Sequence, residues 1–190
     1  MGQRLNLEIV CDGEVLANAY YHWSAYSLPA AELAKLAIEK YYELKGTVVN
    51  NIELATKMLM HTGAGVNDSE AEAISNCRLR KLMNLHINHC VDRNHGLLSV
   101  TEDGINSTIT FAEEFIHLDL YSETMTFAVC NYFDREAWPD GGEMADFDDF
   151  RRVDIDLDEL PFDDIWSLID LINEEFVGIR VGDYVVTWIA

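Results

Sequence analysis

The apolar residues Leu5, Leu7 and Ile9 alternate with the polar residues Asn6 and Glu8. Alternation with a period of two is typical of a β-strand that buries one face. Asp12-Gly13 follows this segment and suits a two-residue hairpin turn, because glycine tolerates positive φ. The pattern therefore predicts a first hairpin, with a return strand from Val15 to about Trp23.

Helical spacing of apolar residues replaces this alternation farther along the chain. It predicts amphipathic helices over 29–45 and 48–61. A capping-box sequence at residues 69–72 predicts a third helix that ends near residue 85. A fourth helix is predicted over 163–176, where two leading aspartates suit the positive helix N-terminus.

Period two returns in the second half of the chain. It predicts a central meander with strands over 96–101, 108–111, 115–121 and 126–133, and a closing hairpin over 179–189. Together these elements predict one α+β domain over residues 1–190. Its antiparallel sheet is expected to combine the N-terminal hairpin, the central meander and the C-terminal hairpin, accompanied by about four helices.

The net charge of the chain restricts the classes of partner that it can bind. The chain carries 34 acidic and 13 basic residues, a net charge of −21. Proteins that hold nucleic acid neutralise phosphates with Lys and Arg, so direct nucleic-acid binding is not expected. An anionic membrane surface is excluded for the same reason. A charge of this sign and size instead favours solubility and fast encounter with a basic protein.

The charge is concentrated in an acidic segment, residues 134–164, predicted to be rich in loops. Thirteen carboxylates and three arginines give it a net charge of −10. Such carboxylates can imitate DNA phosphates, and interleaved aromatics can supply the apolar anchors of a protein interface. The residues predicted to bind a partner are Trp138, Asp140, Glu143, Asp146, Phe147, Asp148, Asp149, Phe150, Asp154, Asp156 and Asp158.

Two other interpretations of the acidic segment remain open. It can be a solvated loop whose aromatic side chains point into the core. Calcium is a lesser alternative, because the alternating carboxylates from Asp154 to Asp158 lack the glycine and the final glutamate of an EF-hand loop. Alternation of Asp with Ile and Leu is more typical of an edge strand.

A locally basic region over residues 78–95 also contains histidines. It can bind an anion or a nucleotide, as a signal-sequestering protein or an enzyme does. The candidate ligand-binding residues are Arg78, Arg80, Lys81, His86, His89, Arg93 and His95. The histidines can instead lie at the end of a helix, where an imidazole interacts favourably with the negative end of the helix dipole. With Cys90 they have ligand types that suit zinc, but their spacing matches no zinc motif, so we predict no metal and no cofactor.

The four cysteines are widely and irregularly spaced, and the first residues contain no apolar leader. These features favour free thiols and a reducing cytoplasm. No run of about 18 apolar residues occurs, which argues against a membrane span. Sequence motifs of nucleotide-binding loops and of hydrolase nucleophiles are absent, so the chain is more consistent with a binding protein than with an enzyme.

Two N-terminal segments carry a family resemblance. Residues 3–9 (QRLNLEI) and 17–26 (ANAYYHWSAY) resemble proteins of unassigned function encoded by phages of Gram-positive bacteria. The resemblance implies a viral origin. Small acidic phage proteins often inhibit host defence, as anti-CRISPR and anti-restriction proteins do, and their targets are nucleic-acid-handling proteins. The resemblance therefore implies an anti-defence inhibitor that acts in the host cytoplasm on a CRISPR nuclease or a restriction complex.

Overall fold

A computed structural model describes residues 4–25, 28–48, 50–67, 81, 84–100, 112, 114–129, 151–161, 164–175, 180–181 and 184–185. The secondary-structure elements in these ranges are, in chain order, β1 (Leu5–Cys11), β2 (Glu14–Tyr21), α1 (Leu28–Leu44), α2 (Asn51–His61), β3 (Val66–Asn67), β4 (Ile87–Asn88), β5 (Leu97–Val100), β6 (Glu114–Asp119), β7 (Thr124–Val129), β8 (Arg151–Asp156), a 3-10 helix (Leu157–Glu159), α3 (Ile165–Glu175), β9 (Arg180–Val181) and β10 (Tyr184–Val185).

The first hairpin forms as predicted. Strands β1 and β2 pair antiparallel, with a register irregularity between Ile9 and Val10. Asp12 and Gly13 both have positive φ, 53° and 80°. This conformation gives a two-residue turn whose twist matches that of the strands it joins.

The main sheet has six strands in the order β5-β2-β1-β6-β7-β8. All neighbours are antiparallel except β1 and β6, which run parallel. The protein is therefore α+β with a mostly antiparallel sheet. Strands from distant parts of the chain meet at the centre, because β1 lies between β2 and β6.

Three details of the predicted layout are different in the structure. Strand β5 pairs with β2 and not with β6, so the antiparallel meander covers β6 to β8 only. The C-terminal hairpin, β9 and β10, forms a separate two-stranded sheet. The central β1–β6 pair is parallel. Alternation fixes which face of a strand is buried, but it does not select the neighbouring strand or its direction.

Three α-helices are seen in the described residues, compared with four predicted. Helices α1, α2 and α3 lie within about three residues of their predicted bounds. The predicted helix over 69–85 lies almost entirely outside the described residues. Lys81 is helical there, whereas Leu85 is not. The strand predicted over 108–111 also lies outside the described residues.

The helices cover one face of the main sheet. Leu5, Leu7 and Ile9 of β1 are fully buried and belong to one core cluster with residues of α1, α2 and α3. Alternation along β1 therefore separates a core face from a second face that carries Asn6 and Glu8. No helix in the described part of the chain is long and apolar enough to cross a membrane.

Candidate functional site

Strand β8 places the last part of the acidic segment at an edge of the sheet. It is the outermost of the six strands, next to β7. Asp154, Asp156 and Asp158 are exposed, whereas the intervening Ile155 and Leu157 are buried. The edge-strand interpretation of this alternation is confirmed for Asp154 and Asp156 in β8, whose carboxylates point into solvent because Ile155 occupies the core face. Asp158 lies beyond the strand, in a short 3-10 helix over Leu157–Glu159.

The other predicted partner-binding residues lie outside the described residues. They are Trp138, Asp140, Glu143, Asp146, Phe147, Asp148, Asp149 and Phe150. Their role stays a prediction.

Three of the exposed aromatic side chains lie near a carboxylate in the chain or couple to one electrostatically. Tyr121 is 74% exposed, Trp166 52% and Tyr42 45%. None of the three was selected from the sequence. Trp166 falls between the apolar positions of α3, and this offset was the available signal. We define the acidic–aromatic surface as Tyr42, Tyr121, Glu123, Asp156, Asp158, Asp164 and Trp166.

Electrostatic coupling and hydrogen bonds show that part of this surface is continuous. Partial burial raises the pKa of Tyr42, and the charges of Asp158 and Glu123 raise it further. Glu123 Oε1 accepts a 2.6 Å hydrogen bond from the Tyr41 hydroxyl and pairs with Lys45. Lys45 and Tyr41 both lower the pKa of Glu123. Tyr42 and the two carboxylates therefore share one local environment.

Trp166 stands at the start of α3, beside a capping aspartate. Asp164 Oδ1 accepts from the Trp166 backbone N–H at 3.0 Å, and Oδ2 accepts from the Ser167 hydroxyl at 2.9 Å. The Ser167 contact is the main reason that the pKa of Asp164 is lowered. Asp164 is thus a helix cap that stays ionised and holds the first turn of α3, where Trp166 is exposed.

The last part of the basic region, residues 89–95, lies in the loop between β4 and β5. Asp92 Oδ1 accepts hydrogen bonds from the backbone N–H of Asn94 at 2.7 Å and of His95 at 2.9 Å. The His95 ring nitrogen Nδ1 lies 3.1 Å from the same oxygen. Cys90 Sγ lies 3.9 Å from Asp92 Oδ2. The backbone hydrogen bond from Asn94 is the main reason that the pKa of Asp92 is lowered.

Tight packing holds this loop in place. The Asn88 side chain donates to the backbone carbonyls of Gly63 at 3.1 Å and Gly96 at 2.7 Å. A Cβ on Gly96 would lie 2.5 Å from the Tyr21 ring, so only glycine fits there without displacement. The loop thus has a rigid support, of the kind a precise binding site requires.

A cleft of about 250 Å³ opens beside the loop. Its walls come from the first turns of α1, the end of α2 and the loop itself. Arg93 supplies a cation to it, His61 an imidazole and Glu32 a carboxylate. The cleft is smaller than the usual site for a drug-sized ligand, which is about 300–1,000 Å³.

The remaining predicted ligand-binding residues are only partly accounted for. Arg93 and His95 share the loop with Cys90 and Asp92. Lys81, His86 and His89 are exposed, and they are not among the residues that line the cleft. Arg78 and Arg80 lie outside the described residues. Asp92 was missed, although an aspartate two residues before Asn94 is a turn signature.

A polar row crosses the second face of the main sheet. Each of the six strands contributes one residue to this row, and each residue is the register partner of the next. From β5 to β8 the residues are Ser99, Asn18, Glu8, His117, Thr126 and Asp154. Glu8 Oε2 and His117 Nε2 lie 2.9 Å apart with little exposure, and the Thr126 hydroxyl donates to Asp154 at 2.5 Å. The alternation within each strand predicts polar positions on that strand, but only the pairing between strands brings these positions into one row.

Comparison with protein-family models, with curated proteins and with solved structures finds no match to this chain.

Proposed function

We propose that this protein binds a basic partner protein through the acidic–aromatic surface. The observation behind the proposal is that three aromatic side chains, Tyr42, Tyr121 and Trp166, are exposed. Tyr42 couples electrostatically to Asp158 and Glu123, and the other two each lie two residues from an aspartate that accepts their backbone N–H. Rim charges steer a partner, whereas buried aromatic side chains supply most of the energy of a stable complex. The two features together fit an interface better than a surface whose only task is solubility.

The class of partner follows from the charge and from the resemblance of the N-terminal segments. A net charge of −21 complements a basic groove of the kind that holds nucleic acid. We therefore propose a phage anti-defence inhibitor whose target is a host nucleic-acid-handling protein, such as a CRISPR nuclease or a restriction complex. The inhibitor acts in the host cytoplasm and competes with the nucleic acid for the groove.

A pull-down from host lysate that contains the defence system, followed by binding kinetics at several salt concentrations, tests this function. Asp158→Lys should slow association, because it reverses a steering charge, and the wild-type rate should fall steeply with salt. Trp166→Ala should mainly speed dissociation by removing an anchor. Glu32→Lys is the control for Asp158→Lys. It makes the same reversal of charge at a position about 15 Å along α1 from Tyr42.

The two reversals separate a local surface from a general charge effect. Equal slowing by Asp158→Lys and Glu32→Lys would show that net charge alone acts. Unchanged kinetics in both Asp158→Lys and Trp166→Ala would place the interface elsewhere. Either result would contradict the proposed surface.

A second candidate function is supported by the cleft beside Arg93. A guanidinium and an imidazole in one cleft suit a small anionic ligand, such as a nucleotide or a signal molecule. This function is tested by a thermal-shift screen with nucleotides, in which a ligand at 100 times its Kd stabilises by about 2.7 kcal/mol. The shift should disappear in Arg93→Gln. A screen without any shift would argue against this candidate.

A further inference from the structure

Three different metal-ligating side chains converge in the loop between β4 and β5. The thiol of Cys90, the carboxylate of Asp92 and the imidazole of His95 each offer one ligand atom, and these atoms lie within 4.8 Å of one another. Cys90 and His95 are exposed, and Asp92 is half-buried. Sulfur, oxygen and nitrogen ligands of these kinds are the set that Zn²⁺ prefers.

We propose that Cys90, Asp92 and His95 form an exchangeable Zn²⁺ site with one open coordination position. Sequence spacing argued against a structural zinc, which is closed by four protein ligands. Three ligands on an exposed loop make a different kind of site, in which water or a ligand completes the tetrahedron. The site is separate from the acidic–aromatic surface and does not depend on the function proposed for it.

The distances fit tetrahedral coordination. With metal–ligand bonds of about 2.0–2.3 Å, the edges of the tetrahedron are about 3.3–3.8 Å. His95 Nδ1 lies 3.2 Å from Asp92 Oδ2, and Cys90 Sγ lies 3.9 Å from the same oxygen. Two of the three ligand–ligand distances are therefore close to a tetrahedral edge, and all three ligand atoms lie within 4.8 Å of one another.

The backbone holds the aspartate in place before any ion binds. Asp92 Oδ1 is occupied by the N–H groups of Asn94 and His95, which leaves Oδ2 to the metal. The Asp92 carbonyl accepts from the backbone N–H of His22 at 3.3 Å, and its own N–H donates to the His95 carbonyl at 3.2 Å. Hydrogen bonds to a metal-binding residue fix its orientation and thereby raise its affinity for the ion.

The net charge of the whole chain favours a cation, whereas Arg93, next in sequence to Asp92, opposes it. Arg93 lines the neighbouring cleft, and the chain as a whole carries −21, which raises the local concentration of divalent cations. Binding converts the Cys90 thiol to a thiolate and releases its proton to solvent. Affinity should therefore fall as the pH is lowered.

Zn²⁺ titration against a chromogenic chelator tests the site in full-length, reduced protein prepared without a histidine tag. We expect one equivalent of Zn²⁺ per chain. Cys90→Ser and His95→Ala should each weaken binding more than about 100-fold, because loss of even an outer-shell partner costs about 10–100-fold. Co²⁺ in the same site should give a thiolate charge-transfer band that Cys90→Ser removes.

Matched variants separate metal ligation from folding. Asp92→Asn keeps an oxygen that accepts the two backbone N–H groups, so it should preserve the loop while it weakens Zn²⁺ binding. Cys11→Ser and His86→Ala alter a thiol and an imidazole outside the loop and should bind Zn²⁺ like the wild type. Absence of stoichiometric binding would overturn the proposal, as would wild-type affinity in both Cys90→Ser and His95→Ala.

Discussion

At the residue scale, Tyr21 joins the sheet to the end of α2. Its side chain is fully buried, and its hydroxyl donates to the Thr62 carbonyl at 3.0 Å and meets Thr62 Oγ1 at 2.5 Å. Burial raises the pKa of Tyr21 well above its usual value. The residue thus stays neutral and serves as a buried hydrogen-bond donor that also packs against Gly96.

Replacing this hydroxyl tests its contribution to stability. Tyr21→Phe should lower the free energy of unfolding by about 1–3 kcal/mol, because the Thr62 carbonyl loses a donor where water has little access. Urea unfolding measures the change. Tyr42→Phe is the control, since its ring is partly exposed and the loss should stay within about 0.5 kcal/mol. Equal losses of stability in the two variants would show that the buried hydrogen bond contributes no more than an exposed hydroxyl.

Glu123 gives a residue-scale prediction about pH. Its folded-state pKa is lowered by Lys45 first and by Tyr41 second, so its ionised form stabilises the folded state. That stability is present above the unfolded-state pKa of about 4.3 and is lost as pH falls through the lowered value. Glu123→Gln should therefore be less stable than wild type at neutral pH, and the difference should disappear once the pH has fallen below the lowered pKa of Glu123.

Chemical unfolding of both proteins at neutral and acid pH measures this convergence. Solvent screens the exposed ion pair, so the difference should also shrink with added salt. A gap between the two proteins that is independent of pH would mean that the contribution of Glu123 is steric and not electrostatic.

At the element scale, β8 shows how charge protects an edge of the sheet. Asp154 and Asp156 alternate with buried Ile155 along the outermost strand. Unpaired edges of sheets invite association with other chains, and charged side chains oppose it. The exposed carboxylates of β8 are therefore expected to oppose pairing of this strand with another chain.

Removing these charges should make the protein associate with itself. Asp154→Val with Asp156→Val leaves an apolar, strand-forming edge, which we expect to produce concentration-dependent oligomers in light-scattering chromatography. Asp170→Val adds one comparable apolar side chain on the exposed side of α3 and should remain like wild type. Equal oligomerisation of both proteins would point to lost net charge and not to strand pairing.

The elements themselves were largely predictable from the sequence, whereas their arrangement was not. The period of two in β1 and the helical spacing in α1 are local properties that a single chain reveals. The pairing of β5 with β2 depends on long-range register, which local patterns do not encode. The ligand set of the metal site was missed for a similar reason, because Asp92 joins Cys90 and His95 only once the turn forms.

At the scale of the whole molecule, self-repulsion opposes the compact state. The net charge of −21 is confined to a smaller volume when the chain folds, so the carboxylates repel one another more strongly. We expect the thermal unfolding midpoint to rise as NaCl increases from low to physiological concentration, because the Debye length shortens to about 8 Å. A midpoint that falls with salt would show that ion pairs outweigh the repulsion.

The parallel pairing at the centre of the sheet has a consequence for the time order of folding. Leu5 pairs with Glu114 and Val10 with Asp119, so the second neighbour of β1 is made more than a hundred residues after it. During synthesis, β1 and β2 can close early through their two-residue turn, but the other edge of β1 must wait. Such non-local pairing slows folding and leaves a strand open to wrong partners meanwhile. We therefore expect the unpaired edge of β1 to stay exposed on the nascent chain until β6 has emerged from the ribosome.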